Sequence, residues 1–296
     1  FAGNQVGVLL ALAAHHNSPV RPRCQCVASG VDMAIVQREG RYYLARLPGS
    51  GFLHDDNCPS VETVNPYSGS SCYSRHALFQ NTDGEVNVVY SPGVSRCRHN
   101  MPAVGIDGLL DLLIEGANLN AWRPADDPRR SWREVREALA HATSEIRLDA
   151  FGPLTQQLML PSFFEKESYP VLQLQQETFL SETDTLRFVC APVRVVAQSP
   201  YGWHVGLKHL PRTNFWLSRE EGEVLAGSAG GINPLANAPE TALVLAQVKP
   251  ARKAHNFNIV HLAMRRVDAR FMPCLSDAES HAAGALVERG VSFRRP

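Results

Sequence analysis

The sequence predicts an α+β protein with an N-terminal zinc-bound β-hairpin module, a helical middle and a β-rich C-terminal part. Three observations carry this. Paired Cys and His residues bracket a hairpin pattern at Cys24, Cys26, His54 and Cys58. Apolar residues at helical spacing, joined by a capping-box signature, occupy the middle. After about residue 168, apolar and alternating runs punctuated by Pro and Gly take over. This divides the chain into 1–100, 101–167 and 168–296, the last reading as an α+β domain cut short at its C-terminus.

A 296-residue chain with 44% apolar and 20% charged residues has the make-up of a soluble globular protein. Its 29 basic residues balance 29 acidic ones, so no global field draws it to nucleic acid or to an anionic membrane. Any such binding must rest on a local patch. No run approaches the ~20 apolar residues that span a bilayer. Val6 to Ala14 lacks a basic flank and a small-residue cleavage site, and reads as part of a helix over 2–16. Seven cysteines, an odd number spread over a long chain, argue against a secreted disulfide framework and for the cytoplasm.

The hairpin is read from Asp32–Gln37, a turn at Arg38-Glu39-Gly40, and Arg41–Leu47, with Pro48-Gly49-Ser50-Gly51 ending the second arm. A loop rich in Ser, Asn, Pro and Gly covers 59–84, and Glu85–Tyr90 alternates like a strand. Leu109, Leu110, Leu113 and Ala117 share a helical face over 106–117. Ser131-Trp132-Arg133-Glu134 opens the next helix, and 152–160 reads as a third, shorter one ended by Pro161. Strands are expected at 186–198 and 202–210, then a helix from Ser218. A flexible connection at 227–239 precedes strands at 242–248 and 258–264, and a helix runs from Ser276 to Gly290.

Cys24-x-Cys26 and His54-x-x-x-Cys58 lie at the two ends of the hairpin, which returns the chain to its start. Thiolate and imidazole donors brought together in this way suit a tetrahedral metal. Four protein ligands close the site, so its expected role is structural zinc. Iron is not separated by spacing, although a Cys3His set favours zinc. The competing reading is of ordinary buried thiols and a loop histidine. Cys72, His76, Cys97 and His99 are alternative or additional ligands; Asp55 and Asp56 read as solvated charges, and Cys190 and Cys274 as plain buried cysteines.

Cys24-Gln25-Cys26, Arg41–Gly51, His54 and Cys58-Pro59-Ser60 resemble the signature of a family of uncharacterised bacterial proteins, a domain of unknown function with three N-terminal cysteines. Leu119–Pro124, Arg130-Ser131-Trp132, Leu207–Pro211 and Phe215 extend the resemblance over most of the chain. It implies a bacterial, cytoplasmic protein, often carried on integrative and conjugative elements, with a further segment beyond Phe293-Arg294-Arg295-Pro296. It implies no activity.

No Gly-x-Ser-x-Gly, P-loop or His-Glu-x-x-His is present. His204 and His209, five apart, fall on opposite faces of a regular strand. The expected role is a non-enzymatic accessory or interaction protein with a protein or nucleic-acid partner. Arg129, Arg130, Arg133 and Arg136 around Trp132 form a candidate phosphate-contacting face, though Glu134 and Glu137 interleave. Lys249, Arg252, Lys253, Arg265, Arg266 and Arg270 form a second basic set. The alternative is a nuclease-related protein: a helix carrying Glu279 followed by Val291-Ser292-Phe293 resembles the opening of restriction-endonuclease-like folds, whose metal-binding hairpin would lie beyond residue 296.

Overall fold

The computed structural model describes residues 5–16, 18–38, 41–47, 50, 53–55, 58–60, 73–74, 76–81, 85–93, 101–126, 130–162, 169–182, 187–228, 241–274 and 276–295. The chain divides into two compact units, 1–65 and 66–296. The loop expected at 59–84 and the connection at 227–239 lie largely outside the described residues.

The first unit holds helix α1 (Gln5–His15) and a three-stranded antiparallel sheet in the order β1 (Arg23–Cys24), β2 (Val31–Arg38), β3 (Arg41–Arg46). The predicted hairpin is present, with Met33 opposite Arg46 and Val36 opposite Tyr43. β1 adds Cys24 opposite Val31. Gly30, at φ 66°, makes the turn before β2, a left-handed position that suits glycine.

In the second unit a small sheet runs β4 (Leu78–Gln80), β5 (Val86–Val88), β7 (Ile146–Leu148), β8 (Gly152–Pro153). Helices α2 (Ile106–Gly116) and α3 (Trp132–Ser144) stand around it, with β6 (Ala121–Trp122) between them. The middle of the chain is therefore mixed rather than helical. The Ser131 box forms in full: its hydroxyl accepts from the Glu134 N–H, and the Glu134 carboxylate accepts from the Ser131 N–H at 2.6 Å. Ser131→Ala is expected to destabilise the protein by about 1 kcal/mol. A urea midpoint unchanged from wild type would show that the cap does not matter.

The helix expected at 152–160 is not formed. Gly152 takes φ 82° and Pro153 is extended, so only Leu154–Gln156 makes a 3-10 turn. The following residues become β9 (Leu158–Met159), paired in parallel with the first residues of β10 (Phe188–Ser199).

The β-rich part is a barrel preceded by helix α4 (Tyr169–Ser181). Its strands are β10 (Phe188–Ser199), β11 (Gly202–Leu207), β12 (Asn214–Leu217), β13 (Thr241–Pro250) and β14 (Asn256–Val267), with α5 (Arg219–Ser228) between β12 and β13. Pairing runs β10–β11–β12–β14–β13 and closes on β10. β12 and β14 are parallel, and the other pairs in the ring are antiparallel. β10 closes the ring by pairing Phe188–Pro192 with β13 and Val193–Ser199 with β11. A register shift between Val193 and Val195 marks the change of partner, and such a bulge bends a strand. This is the connectivity of the five-stranded OB barrel.

The alternation of side chains explains the apolar runs. On β13, Val244 and Ala246 point into the barrel with Val205, Phe215 and Phe257. Leu243 and Leu245 point outward into a second core with Leu109, Leu113 and Leu139. A strand covered on both faces has no polar side to show. Helix α6 (Asp277–Glu288) and β15 (Phe293–Arg294) end the chain; β15 pairs with β6, Phe293 opposite Trp122.

Candidate metal centre

Each candidate ligand is placed by local chain geometry. β1 carries Cys24, and two residues on comes Cys26. After β3, the Ser50 N–H bonds to the Leu47 carbonyl and the Leu53 N–H to the Ser50 carbonyl, turning the chain back. A further turn, Cys58 N–H to the Asp55 carbonyl, sets His54 and Cys58 side by side. His54 and Cys58 are buried; Cys24 and Cys26 are half-buried.

The four predicted residues meet. Their donor atoms all lie within 4.8 Å of one another, close enough to bind one metal ion. Cys24 Sγ is 3.6 Å from Cys58 Sγ. His54 Nδ1 is 3.4 Å from Cys26 Sγ and 3.5 Å from Cys58 Sγ. A disulfide needs an S–S distance of about 2.05 Å, so the two sulfurs are not bonded. A tetrahedron with metal–sulfur bonds of about 2.3 Å and metal–nitrogen bonds of about 2.0 Å has edges of roughly 3.5–3.8 Å. The three separations above, 3.4 to 3.6 Å, are close to such edges.

Two backbone donors complete the surroundings. The Asp55 N–H points at Cys26 Sγ and the Ser60 N–H at Cys58 Sγ, both at 3.4 Å. The Ser60 N–H, ahead of other contributions, pushes the Cys58 thiol below its ordinary pKa, which favours the thiolate that ligates metals. Sequence reasoning missed both donors, because a backbone N–H leaves no mark in residue identity. Asp55 is exposed, as expected of a loop charge. His54 Nε2 is buried with no hydrogen-bond partner among the described residues.

The other candidates fall elsewhere. Cys72, Cys97, His99, Asp56 and Arg129 lie outside the described residues, and His76 is exposed. Cys190 is fully buried, and burial pushes its thiol up to about 12. Arg130 reaches the carbonyls of Leu119, Ala121 and Arg270, and Arg136 that of Leu160. Both guanidinium groups thus tie chain segments together, while Arg133 is exposed. The Glu279 N–H caps onto Ser276 Oγ, and its carbonyl accepts from Arg295. β11 stops at Leu207, so His204 and His209 do not share a strand. His209 sits in a turn at φ 68° and stacks on Trp132, 5.9 Å between ring centres.

No helix among the described residues is long and apolar enough to cross a membrane. Neither a curated protein nor a solved structure matches the chain. One family model does, over residues 1–296: the chain belongs to the family described as Protein of unknown function (DUF1173).

Proposed function

We propose that Cys24, Cys26, His54 and Cys58 hold a single structural zinc ion in a non-enzymatic accessory protein. The observation that carries this is the donor set itself: three sulfurs and one imidazole nitrogen within 4.8 Å of one another, three of the separations being 3.4 to 3.6 Å. Thiolate with imidazole in that geometry selects zinc among common divalent ions. Four protein donors leave no coordination position for water or substrate, so the ion stabilises and does not catalyse. The protein then acts through its surfaces, by binding a partner. Reduced thiols at the site suit the cytoplasm. A role on a bacterial mobile element is supported by the sequence resemblance around Cys24-Gln25-Cys26 and His54–Cys58.

Metal analysis of protein purified without chelators tests this. About one zinc per chain is expected, and cobalt substitution should give the strong thiolate-to-metal absorption of a tetrahedral site. Metal-free protein with an unchanged melting temperature would remove the proposal.

A further inference from the structure

We propose that the open face of the barrel formed by β10, β11 and β12 binds a single strand of nucleic acid, stacking bases on Trp216, His204 and Tyr201 and holding phosphates with Arg194 and the cations around it. This goes beyond the structural metal and does not depend on it.

The barrel is covered unequally. The outward side chains of β13, β14 and the first residues of β10 are buried beneath α2 and α3, as Leu243, Leu245, Ala263 and Phe188 show. Among the described residues, the outward side chains of β12, β11 and the second half of β10 have no such layer: Asn214, Trp216 and His204 are partly exposed, and Arg194 and Ala197 are exposed. In this barrel topology, the face of the second and third strands and the loops after the first and fourth are where oligonucleotides and oligosaccharides lie. Topology alone does not assign a ligand; the side chains do.

His204 and Trp216 are cross-strand partners, their ring centres 5.2 Å apart. Each is oriented by a carboxamide: His204 Nε2 is 3.2 Å from Asn214 Oδ1, and Trp216 Nε1 donates to Asn256 Oδ1 at 2.9 Å. Burial, opposed by the Asn214 contact and aided by Arg194, lowers the His204 pKa. The shift favours the neutral ring, which offers a π-face rather than a charge. Gly206 has no side chain, and the room a Cβ would take is filled by Val195 Cγ1, 2.5 Å from that position, with an Arg194 guanidinium nitrogen at 3.3 Å and His204 Cε1 at 3.4 Å. The Arg194 cation thus lies beside the His204 ring. At the β10–β11 turn, Tyr201 is 91% exposed, an orientation that burial energetics do not reward. Arg219 bonds to the Pro200 carbonyl next to it.

Charge names the partner. From Phe188 to Arg219 the sequence holds Arg194, Lys208, Arg212 and Arg219 and no Asp or Glu. From Thr241 to Val267 it holds Lys249, Arg252, Lys253, Arg265 and Arg266, again with no carboxylate. In a chain of net charge zero, the barrel strands and their loops are a concentration of positive charge. Arg265 is neutralised inside, but Lys249, Arg252 and Lys253 flank the β13–β14 turn and are exposed. That turn is pinned by His255 Nδ1, 2.6 Å from the Glu177 carboxylate of α4. Among the described residues of the barrel and its own helix, carboxylates occur only on α5, at Glu220, Glu221 and Glu223. A neutral sugar chain would use the rings without the cations. A single strand uses both, because stacking is indifferent to sequence and the phosphates are anionic. In a duplex the bases are already stacked and the rings have nothing to hold.

The test is fluorescence anisotropy of a labelled oligo-dT of about 15 nucleotides, within the span such a barrel covers, against the full chain at several salt concentrations. Binding that weakens as salt rises, and that far exceeds binding to a blunt duplex of equal length, is expected. Tyr201→Ala and Trp216→Ala should each weaken it by about 5- to 100-fold. Arg194→Glu should weaken it and flatten the salt dependence by about 0.7 or more in the log–log slope. Trp216→Phe should stay within about threefold of wild type, since a ring remains to stack. Oligo-rU of the same length ranks RNA against DNA, and tighter binding of either supports the face. Tyr201 and Arg194 are exposed, so those variants keep the test decisive if Trp216→Ala is unstable. Absence of binding at low salt, equal affinity for duplex, or binding indifferent to Tyr201 and Arg194 would overturn the proposal. Zinc content of the same samples is unaffected in every case, so this outcome and that of the metal are read apart.

Discussion

Protein carrying Cys24→Ser with Cys58→Ser is expected to lose its metal and unfold its first unit. Among the described residues of that unit, the buried apolar side chains are Val31, Met33 and Cys58. Three side chains bury little area, and an isolated sheet of this size is marginal in water. Structural zinc in small peptides supplies about 10 kcal/mol or more, and binding free energy of this kind is folding free energy. Hydrogen exchange followed by mass spectrometry reads the result by segment. Peptides over Arg23–Arg46 should exchange fully within seconds in the variant, while those over Phe188–Leu207 and Thr241–Val267 keep wild-type protection. The barrel has its own two cores and does not need the ion to bury them. A chelator should reproduce the pattern in wild type, and zinc should reverse it. Wild-type protection over β1–β3 in a metal-free variant would mean that the hairpin stands by itself and the thiols are incidental.

How much of this was legible before the structure follows from the range of the contacts. The Cys/His cluster could be found because a hairpin is local: residues at its two ends must meet whatever the rest of the chain does. The strands of the barrel were legible one by one, but not their closure. β10 takes β13 along one half and β11 along the other, and β12 joins β14 in parallel across a helix and a connection. No periodicity within a strand encodes such partners. Helix α4 was hidden for a different reason. Val171 and Leu174 face solvent while Gln173 is buried, so the apolar positions do not mark the packed face. The arginines near Trp132 misled in the opposite direction. Their spacing suits a surface patch, yet Arg130 and Arg136 turn to backbone carbonyls that helix and strand leave free, a use that composition does not reveal. The second basic set divides in the same way, Arg265 going inward and Lys249, Arg252 and Lys253 outward.

Arg265→Ala should be among the most damaging single substitutions in the second unit. The guanidinium leaves β14 and meets the first two turns of α2. Nε and Nη2 engage the two Asp111 oxygens at 2.7 and 3.1 Å, and Nη1 reaches Asp107 Oδ1 at 2.8 Å and the Met264 carbonyl at 2.8 Å. The Arg265 and Asp111 side chains are each only 11% exposed. Burial by itself would lower the arginine pKa, but the hydrogen bonds and charge of Asp111, then Asp107, outweigh it and raise the pKa above the ordinary value. Removing the cation strands the Asp111 carboxylate in a nearly dry site, which costs about 3–5 kcal/mol. Asp107 suffers less, being more exposed and in the first turn of the helix, where negative charge is favoured. Arg265→Lys should fall between, since an ammonium cannot make the planar two-point contact. Arg265→Leu combined with Asp111→Leu should recover most of the loss, because two apolar groups in that place leave no charge unpaired. Urea unfolding of the four proteins gives the order wild type, double Leu, Lys, Ala, or the first two exchanged. A single Ala variant within about 1 kcal/mol of wild type would mean that water reaches Asp111 freely. The contact would then fix how α2 lies on the barrel without adding to its stability.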